Sequence, residues 1–341
     1  MPTLLAATIY STRMRTKHLA LLFLLCSFAQ VRGQLPFAPA EPPEPLRGSL
    51  VIVSGGALPD SVAQTFVKLA GADAGRIVLI PTASETADKD DAKPILDTWA
   101  KRTKATLQVL HTRDRDKAND ADFVKPLREA TGVWLGGGDQ TKLVVAYRGT
   151  RVEKELHELL QRGGVIGGTS AGAAVMSKLM IAGGAIIPKL DEGFGFLPGV
   201  VVDQHFLKRN RVNRLIDVVS KHPGWAGLGI DEKTAVVVQG RSLSVVGDSC
   251  ALICQAAGRD RPVSCQVLKP GAKADLIAVC RNALARTQPA FPAAKPPAPN
   301  VQMGTLVIGG GGGLPDEVYQ RFLAAAGGPE ARIAFIPTAL A

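Results

Sequence analysis

The stretch Gly164–Met176, GVIGGTSAGAAVM, sets one serine between glycines directly after a short apolar run. Gly168-Thr-Ser-Ala-Gly172 fits the G-x-S-x-G pattern of a nucleophile elbow, a tight strand-to-helix turn that presents a hydroxyl above a sheet and leaves the next amide free as an oxyanion donor. Glycine on either side removes the Cβ atoms that would clash in such a turn. A Gly-rich connection in which Ser170 merely caps the helix explains the same five residues. A nucleophile also needs a base and an orienting group, so the rest of the chain has to supply them.

Outward from Ser170, apolar strands alternate with helical patterns. Ser49–Val53 is a short buried strand ending in Gly55-Gly56, and Val62, Phe66, Val67, Leu69 and Ala70 mark a helix from Asp60. Arg76–Ile80 is a second strand, closed by Pro81-Thr82. Then come a helix over about 92–104, a strand at 106–110, a short helix over about 120–130 and a strand Gly132–Leu135 that runs into Gly136-Gly137-Gly138. One helix over about 142–162 leads back to the strand before Ser170. The pattern predicts an α/β fold of three layers, a mostly parallel sheet with helices on both faces and ligands at the carboxyl ends of its strands. Gly136–Gln140 and Gly167–Gly172 then share that edge. After about Ala235, short strands at 236–238, 243–246, 251–253 and 276–279 predict an antiparallel C-terminal extension.

The chain has 341 residues, 46% of them hydrophobic and 21% charged, ordinary values that exclude disorder throughout. Arg15 and Lys17 precede the apolar run Leu19–Ala29, too short to span a bilayer comfortably, so residues 1–33 read as a secretory signal peptide, with Met14 an alternative start. Removing them takes away Arg13, Arg15, Lys17 and Arg32 and no acid, which lowers the formal charge from +10 to +6. No basic block with interleaved aromatics occurs, so nothing points to nucleic acid, and no stable membrane anchor is expected. Cys250, Cys254, Cys265 and Cys280 then remain, and in an exported chain they predict two disulfides of open connectivity rather than a metal site, since no histidine lies near them.

Five prolines between Pro36 and Pro45 make residues 34–48 an extended linker to a domain over 49–282, and the Pro/Ala-rich 283–302 reads as a second linker. Residues 306–341 then repeat residues 50–85 without a gap at a constant offset of 256: Leu314-Pro-Asp316 repeats Leu58-Pro-Asp60, and Ile336-Pro-Thr-Ala339 repeats Ile80-Pro-Thr-Ala83. Residues 303–341 are thus a truncated β-α-β start of a second copy, with too few strands to bury its own faces and so expected to be loosely held.

For the base, the histidines beyond the signal are His111, His157, His205 and His222. His205 stands out in Asp203-Gln-His-Phe-Leu-Lys-Arg-Asn-Arg-Val-Asn-Arg214, directly after Val200-Val-Val202, which places it at a strand end. His157 sits in a charged helix and reads as solvated, and His111 has no comparable polar cluster around it. The orienting carboxylate is Glu232 or Asp231, both in Gly229-Ile-Asp-Glu-Lys-Thr-Ala235, and the letters leave that choice open. On a helix Arg211 and Arg214 share a face while Arg209 turns away.

Gly168-Thr-Ser-Ala-Gly-Ala173, Asp203-Gln-His-Phe206 with its three arginines, Gly137-Gly-Asp-Gln140 and Gly229-Ile-Asp-Glu232, in that set of four, resemble the cyanophycinase family of serine peptidases over about residues 48–282. The resemblance implies a fold like that of class I glutamine amidotransferases, which is flavodoxin-like. It implies Ser170 as nucleophile, His205 as base and then acid, Glu232 as orienting group, and the amides of Gly138 and Ala171 as the oxyanion hole. Gln140, Asp203, Gln204, Arg209, Arg211 and Arg214 would line the substrate pocket, with no cofactor and no metal. The implied activity is that of an exported exopeptidase hydrolysing β-aspartyl peptide bonds, cutting cyanophycin, a polyaspartate with arginine on each side chain, to β-Asp-Arg dipeptides. Its partner is that peptide or polymer, and a homodimer is left open. An α-aspartyl dipeptidase of the same superfamily and a non-catalytic peptide-binding homologue are the rival readings.

Overall fold

The computed structural model describes residues 44–89, 92–258, 260–287, 304–309 and 313–334. The signal-peptide segment, most of both Pro-rich linkers and the Ile336–Ala339 half of the repeat lie outside them. In chain order the elements are β1 (Leu46–Val53), α1 (Asp60–Leu69), β2 (Arg76–Ile80), α2 (Lys93–Ala100), β3 (Thr106–Val109), α3 (Arg115–Ala118), α4 (Lys125–Glu129), β4 (Gly132–Leu135), α5 (Gln140–Tyr147), α6 (Arg151–Gln161) and β5 (Val165–Thr169). Then follow α7 (Ala171–Ala174), β6 (Leu179–Gly183), β7 (Lys189–Glu192), β8 (Val200–Asp203), α8 (Val212–Lys221), β9 (Ala226–Ile230), β10 (Thr234–Gly240), β11 (Ser242–Gly247), β12 (Ala251–Gln255), β13 (Ser264–Leu268), β14 (Lys273–Asp275), α9 (Leu276–Ala285) and α10 (Asp316–Ala326).

The main sheet has the order β14-β11-β10-β1-β5-β4-β2-β3. From β1 to β3 its neighbours are parallel, and β10, β11 and β14 add on in antiparallel fashion. The α/β class and the antiparallel extension follow the sequence pattern. A second sheet, β13-β12-β9-β8, and the hairpin β6-β7 were not separable from it in the letters. Leu50, Ile52, Ile77, Leu79 and Ile80 are fully or almost fully buried, as strands covered on both faces require. On one face, Phe66 packs at 5.0 Å from both Trp99 and Trp134, whose rings lie 4.6 Å apart.

Three local expectations change. The single helix over 142–162 is two helices, because Gly149 takes a left-handed φ of 73° between α5 and α6. The strand expected at 276–279 is the start of α9, where the Asp275 carboxylate accepts from the amides of Ile277 and Ala278 and so caps a helix. Cys254 and Cys265 are directly opposite on β12 and β13 and form a disulfide, whereas Cys250 and Cys280 are free, so one bridge replaces the two expected. Cys280 is buried on α9 and burial pushes its thiol up to about 12.

The chain divides into two units, Met1–Pro289 and Ala290–Ala341. In the second, α10 repeats α1 at the same offset and, like it, follows a proline N-cap. The described flanks 305–309 and 331–334 form no strand, since a strand needs a neighbour to pair with. Phe322, the counterpart of Phe66, is 40% exposed against 0%.

Phe66→Ala is therefore expected to lower stability by about 3–5 kcal/mol, because it empties a closed aromatic cluster, while Phe322→Ala changes it by under about 0.5 kcal/mol. Urea unfolding of the two variants measures the contrast. Alkylation of the native chain without reductant is expected to mark Cys250 and spare Cys254, Cys265 and Cys280, read by peptide mass spectrometry.

Candidate active site

The carboxyl ends of β5 and β8, and the turn from β9 into β10, meet at one point. Ser170 follows β5 with φ 52° and ψ −106°, a strained conformation held by its amide donating to Val53 O at 3.0 Å. The flanking glycines are required there. A Cβ on Gly168 would lie 2.4 Å from Gly172 O, and one on Gly172 would lie 2.3 Å from Leu135 O. α7 starts immediately after the serine, so the Ala171 amide opens a helix and takes part in no turn or cap hydrogen bond among the described residues. The Gly138 amide is equally uncommitted there, and Gly138 itself has φ 137° in the loop after β4.

His205, two residues past β8, reaches back to this turn. Its Nε2 is 3.0 Å from Ser170 Oγ and its Nδ1 is 2.7 Å from Glu232 Oε1. A carboxylate only accepts, so Nδ1 carries the proton shared with Glu232 and Nε2 is left to accept from the serine hydroxyl. Asp231 is excluded from that role by its own bonds: it accepts from the amides of Leu207 and Lys208 and from the Ser249 hydroxyl. The choice between the two acids, open in the sequence, is thus made by which one faces the imidazole.

Burial holds His205 below the ordinary histidine value. The hydrogen bond to Glu232 opposes this, and the Arg209 and Arg211 charges add to it. The imidazole is therefore neutral at neutral pH and able to accept a proton. His157 is not simply solvated: its Nε2 donates to Phe194 O at 3.0 Å and its ring packs on Phe196. Nor is His111 isolated, since it bridges Thr82 and Asp88 at 2.8 Å each.

Beside His205 lies a small polar pocket of about 160 Å³, lined by Gln140, Asp203, Gln204, Arg211 and Arg214. Arg209 does not line it; it is exposed in the turn before α8, which begins only at Val212. Asp203 and Arg214 are 1% and 4% exposed and form a two-bond ion pair, one bond of which is Nε to Oδ2 at 3.0 Å. Burial pushes the Asp203 carboxyl up and Arg214 pulls it back. Arg211 donates to Gln204 O and Oε1 at 2.7 Å each and lies 3.7 Å from Asp203, and burial with the Arg214 charge brings its guanidinium down to about 10. Gln140 spends its side-chain amide on the carbonyls of Ile181 and Ala182, fastening the β6-β7 hairpin as the far wall. That hairpin and Ser54, whose hydroxyl takes the His205 amide at 2.6 Å, were missed in the sequence, where neither has a motif. Among the described residues no group of three His, Cys, Asp or Glu side chains could hold a metal ion, and no helix is long and apolar enough to cross a membrane.

Residues 50–246 match the profile of peptidase family S51. The chain is 35% identical to a cyanophycinase of Geminocystis herdmanii over 207 residues, 57% of this chain and 75% of that one. It is 35% identical to a cyanophycinase of a Nostoc species over 55% of this chain and 67% of the other, and 28% identical to a probable alpha-aspartyl dipeptidase of Drosophila melanogaster over 53% and 77%. The crystal structure of a peptidase from an acI-B1 Actinobacterium superposes with a TM-score of 0.55 at 26% identity, covering 68% of this chain and 98% of its own.

An NMR titration of the His205 ring is expected to give a midpoint below 6.5. Arg209→Ala removes a nearby positive charge that disfavours the imidazolium, so the midpoint is expected to rise; a fall or no change would contradict the electrostatic account.

Proposed function

The chain belongs to peptidase family S51, and on that premise we propose that it is an exported serine peptidase that cuts peptides containing β-aspartyl units, with cyanophycin as its polymer substrate. The observation that carries this reading is the hydroxyl–imidazole–carboxylate chain of Ser170, His205 and Glu232, with both links within hydrogen-bond distance. Export is supported by the signal-like Leu19–Ala29 run and by the Cys254–Cys265 disulfide, a bond that persists in oxidising compartments.

In this mechanism Ser170 Oγ attacks the scissile carbonyl while its proton passes to His205 Nε2. Glu232 holds the ring by Nδ1 and stabilises the imidazolium that forms. The carbonyl oxygen, now negative, takes hydrogen bonds from the Gly138 and Ala171 amides, each worth about 3 kcal/mol in the transition state. His205 gives that proton to the departing amine as the peptide bond breaks, which leaves an ester on Ser170; a water that loses a proton to the same imidazole then attacks the ester, and His205 returns the proton to Ser170 Oγ as the acid leaves.

In the small polar pocket Asp203 and Arg214 pair with each other, and Arg211, which bonds Gln204 through Nη1, presents the cation that would receive a carboxylate of a β-aspartyl-arginine unit. Release of that unit intact leaves its β-link whole, so the bond broken in cyanophycin is the main-chain amide beside it, which narrows the expectation of β-link hydrolysis.

Incubation of the processed protein with insoluble cyanophycin is expected to release β-Asp-Arg. Ser170→Ala is expected to lower kcat by a factor on the order of 10⁶, and Glu232→Gln by about 10³–10⁴, with KM little changed. Release of free arginine, or turnover only of α-linked aspartyl dipeptides, would overturn the substrate assignment.

A further inference from the structure

The oxyanion hole of the proposed mechanism has one amide on the elbow itself, at Ala171, and one in the loop after β4, at Gly138. Both ends of that loop hang on the chain leaving β2. The Gly136 amide donates to Ile80 O at 2.9 Å, and the Asp139 amide donates to Ala83 O at 2.9 Å. Between them Gly138, at φ 137°, lies so close to the Ala83 carbonyl that a Cβ there would collide with it. Where the Ala83 carbonyl points therefore decides where the Gly138 amide points.

Ala83 sits in a turn closed by the Ser84 amide on Pro81 O at 2.7 Å. The carbonyls on either side of it are held by one side chain: Arg113 donates through Nη1 to Thr82 O at 3.0 Å and through Nη2 to Ser84 O at 2.8 Å. With both flanking carbonyls drawn to the guanidinium, the one between them is left to the Asp139 amide. The third arm, Nε, donates to Asp88 Oδ2 at 2.6 Å, and His111 Nε2 donates to the other oxygen of that carboxylate at 2.8 Å. A guanidinium is planar and keeps its donors in a fixed fork, so bonds from three of its nitrogens fix the plane. An ammonium group in the same place would fix none.

We infer that Arg113 is a positioning residue of the reaction, one that sets the oxyanion hole by fixing the turn on which the Gly138 amide rests. Among the described residues its hydrogen bonds go to Thr82, Ser84 and Asp88, none of them in the triad. Besides burial, the groups that shift His205 are Glu232, Arg209 and Arg211, so Arg113 acts on the hole and not on the base. An oxyanion donor works only once the carbonyl oxygen turns negative; misplacing it slows the chemical step and leaves ground-state binding alone. This rests on the serine-peptidase reading above.

The test is the rate at which a serine-reactive phosphonate labels Ser170, since its phosphoryl oxygen gains negative charge as the scissile carbonyl would and no substrate assignment is needed. In Arg113→Ala the limiting rate at saturating phosphonate is expected to fall at least about ten-fold, towards the roughly 10²–10³ of a lost donor, with the half-saturating concentration within about two-fold of wild type. Arg113→Lys, which keeps the charge and loses the fork, is expected to fall as well, and it decides the matter where Arg113→Ala does not fold. Arg113 lines an open pocket of about 310 Å³, so a small cation can enter the space that Arg113→Ala leaves. Millimolar guanidinium ion is expected to restore the labelling several-fold, and methylammonium is not. The NMR midpoint of His205 is expected to match wild type in both variants. A full rate in Arg113→Lys, a loss carried by the half-saturating concentration, a shifted His205 midpoint, or a response to guanidinium no greater than to methylammonium would overturn the inference. The two failures separate at the wild type: a labelled Ser170 with these outcomes overturns the positioning role alone, and an unlabelled one overturns the peptidase reading with it.

Discussion

The carboxyl end of β1 is the clasp on which the site depends. Val53 O accepts the Ser170 amide, Ser54 Oγ accepts the His205 amide, the Ser54 amide donates to Thr234 O, and Gly55 O accepts the Lys233 amide. Three consecutive residues thus tie down the turn after β5, the segment after β8 and the turn that carries Glu232. The three side chains come from positions 170, 205 and 232, and their segments belong to two different sheets. Without a common anchor, the 3.0 and 2.7 Å links through His205 would have to be held by side chains alone, at a cost in ordering entropy that backbone hydrogen bonds remove. Left-handed φ angles at Ser170, His205 and Lys233 show where that anchoring bends the chain.

Electrostatics then separates the two flanks of the nucleophile. On the His205 side the Asp203–Arg214 pair is out of water, where losing either partner would leave an uncompensated charge. Arg214 also donates to Gly184 O at the end of the β6-β7 hairpin, so the pair fixes the pocket wall as well as its charge. On the other flank the Phe66, Trp99 and Trp134 cluster is buried beneath the sheet edge, and the charge there is the Arg102–Asp60 pair at 3.9 Å. The imidazole between them is kept neutral by burial and by the surrounding arginines, against the pull of Glu232.

Much of this was legible in the letters because it rests on local rules. Continuous apolar strands gave the parallel sheet, and G-x-S-x-G gave the elbow, whose glycines are forced by contacts of 2.4 and 2.3 Å with neighbouring carbonyls. Other parts depend on long-range contact. Asp231 and Glu232 are adjacent and chemically alike, and only the fold shows that one is occupied by the Leu207 and Lys208 amides. The Leu276–Val279 run suits a strand by composition and becomes helical because Asp275 caps it. Arg209, whose spacing already turned it away from Arg211 and Arg214 but which the resemblance placed in the pocket with them, ends up outside the polar pocket, since the helix starts after it. Cys250 and Cys280 sit among the cysteines in sequence yet only Cys254 and Cys265 share a ladder position.

A second hydroxyl–imidazole–carboxylate chain in the same fold shows why geometry needs access. Thr82 Oγ1 is 2.8 Å from His111 Nδ1, and His111 Nε2 is 2.8 Å from Asp88 Oδ1. Thr82 is fully buried, however, and its hydroxyl is also engaged at 2.7 Å by the Tyr147 phenol, so no carbonyl can approach it. Arg113 takes the other Asp88 oxygen together with the carbonyls of Thr82 and Ser84. This network holds the loop after β2, whose Ala83 carbonyl accepts the Asp139 amide directly beside Gly138. The same three functional groups therefore act as a brace at Thr82 and as a half-buried, accessible reaction centre at Ser170. What differs is the elbow, which lifts one hydroxyl to the sheet edge beside the polar pocket, while the other stays inside the core.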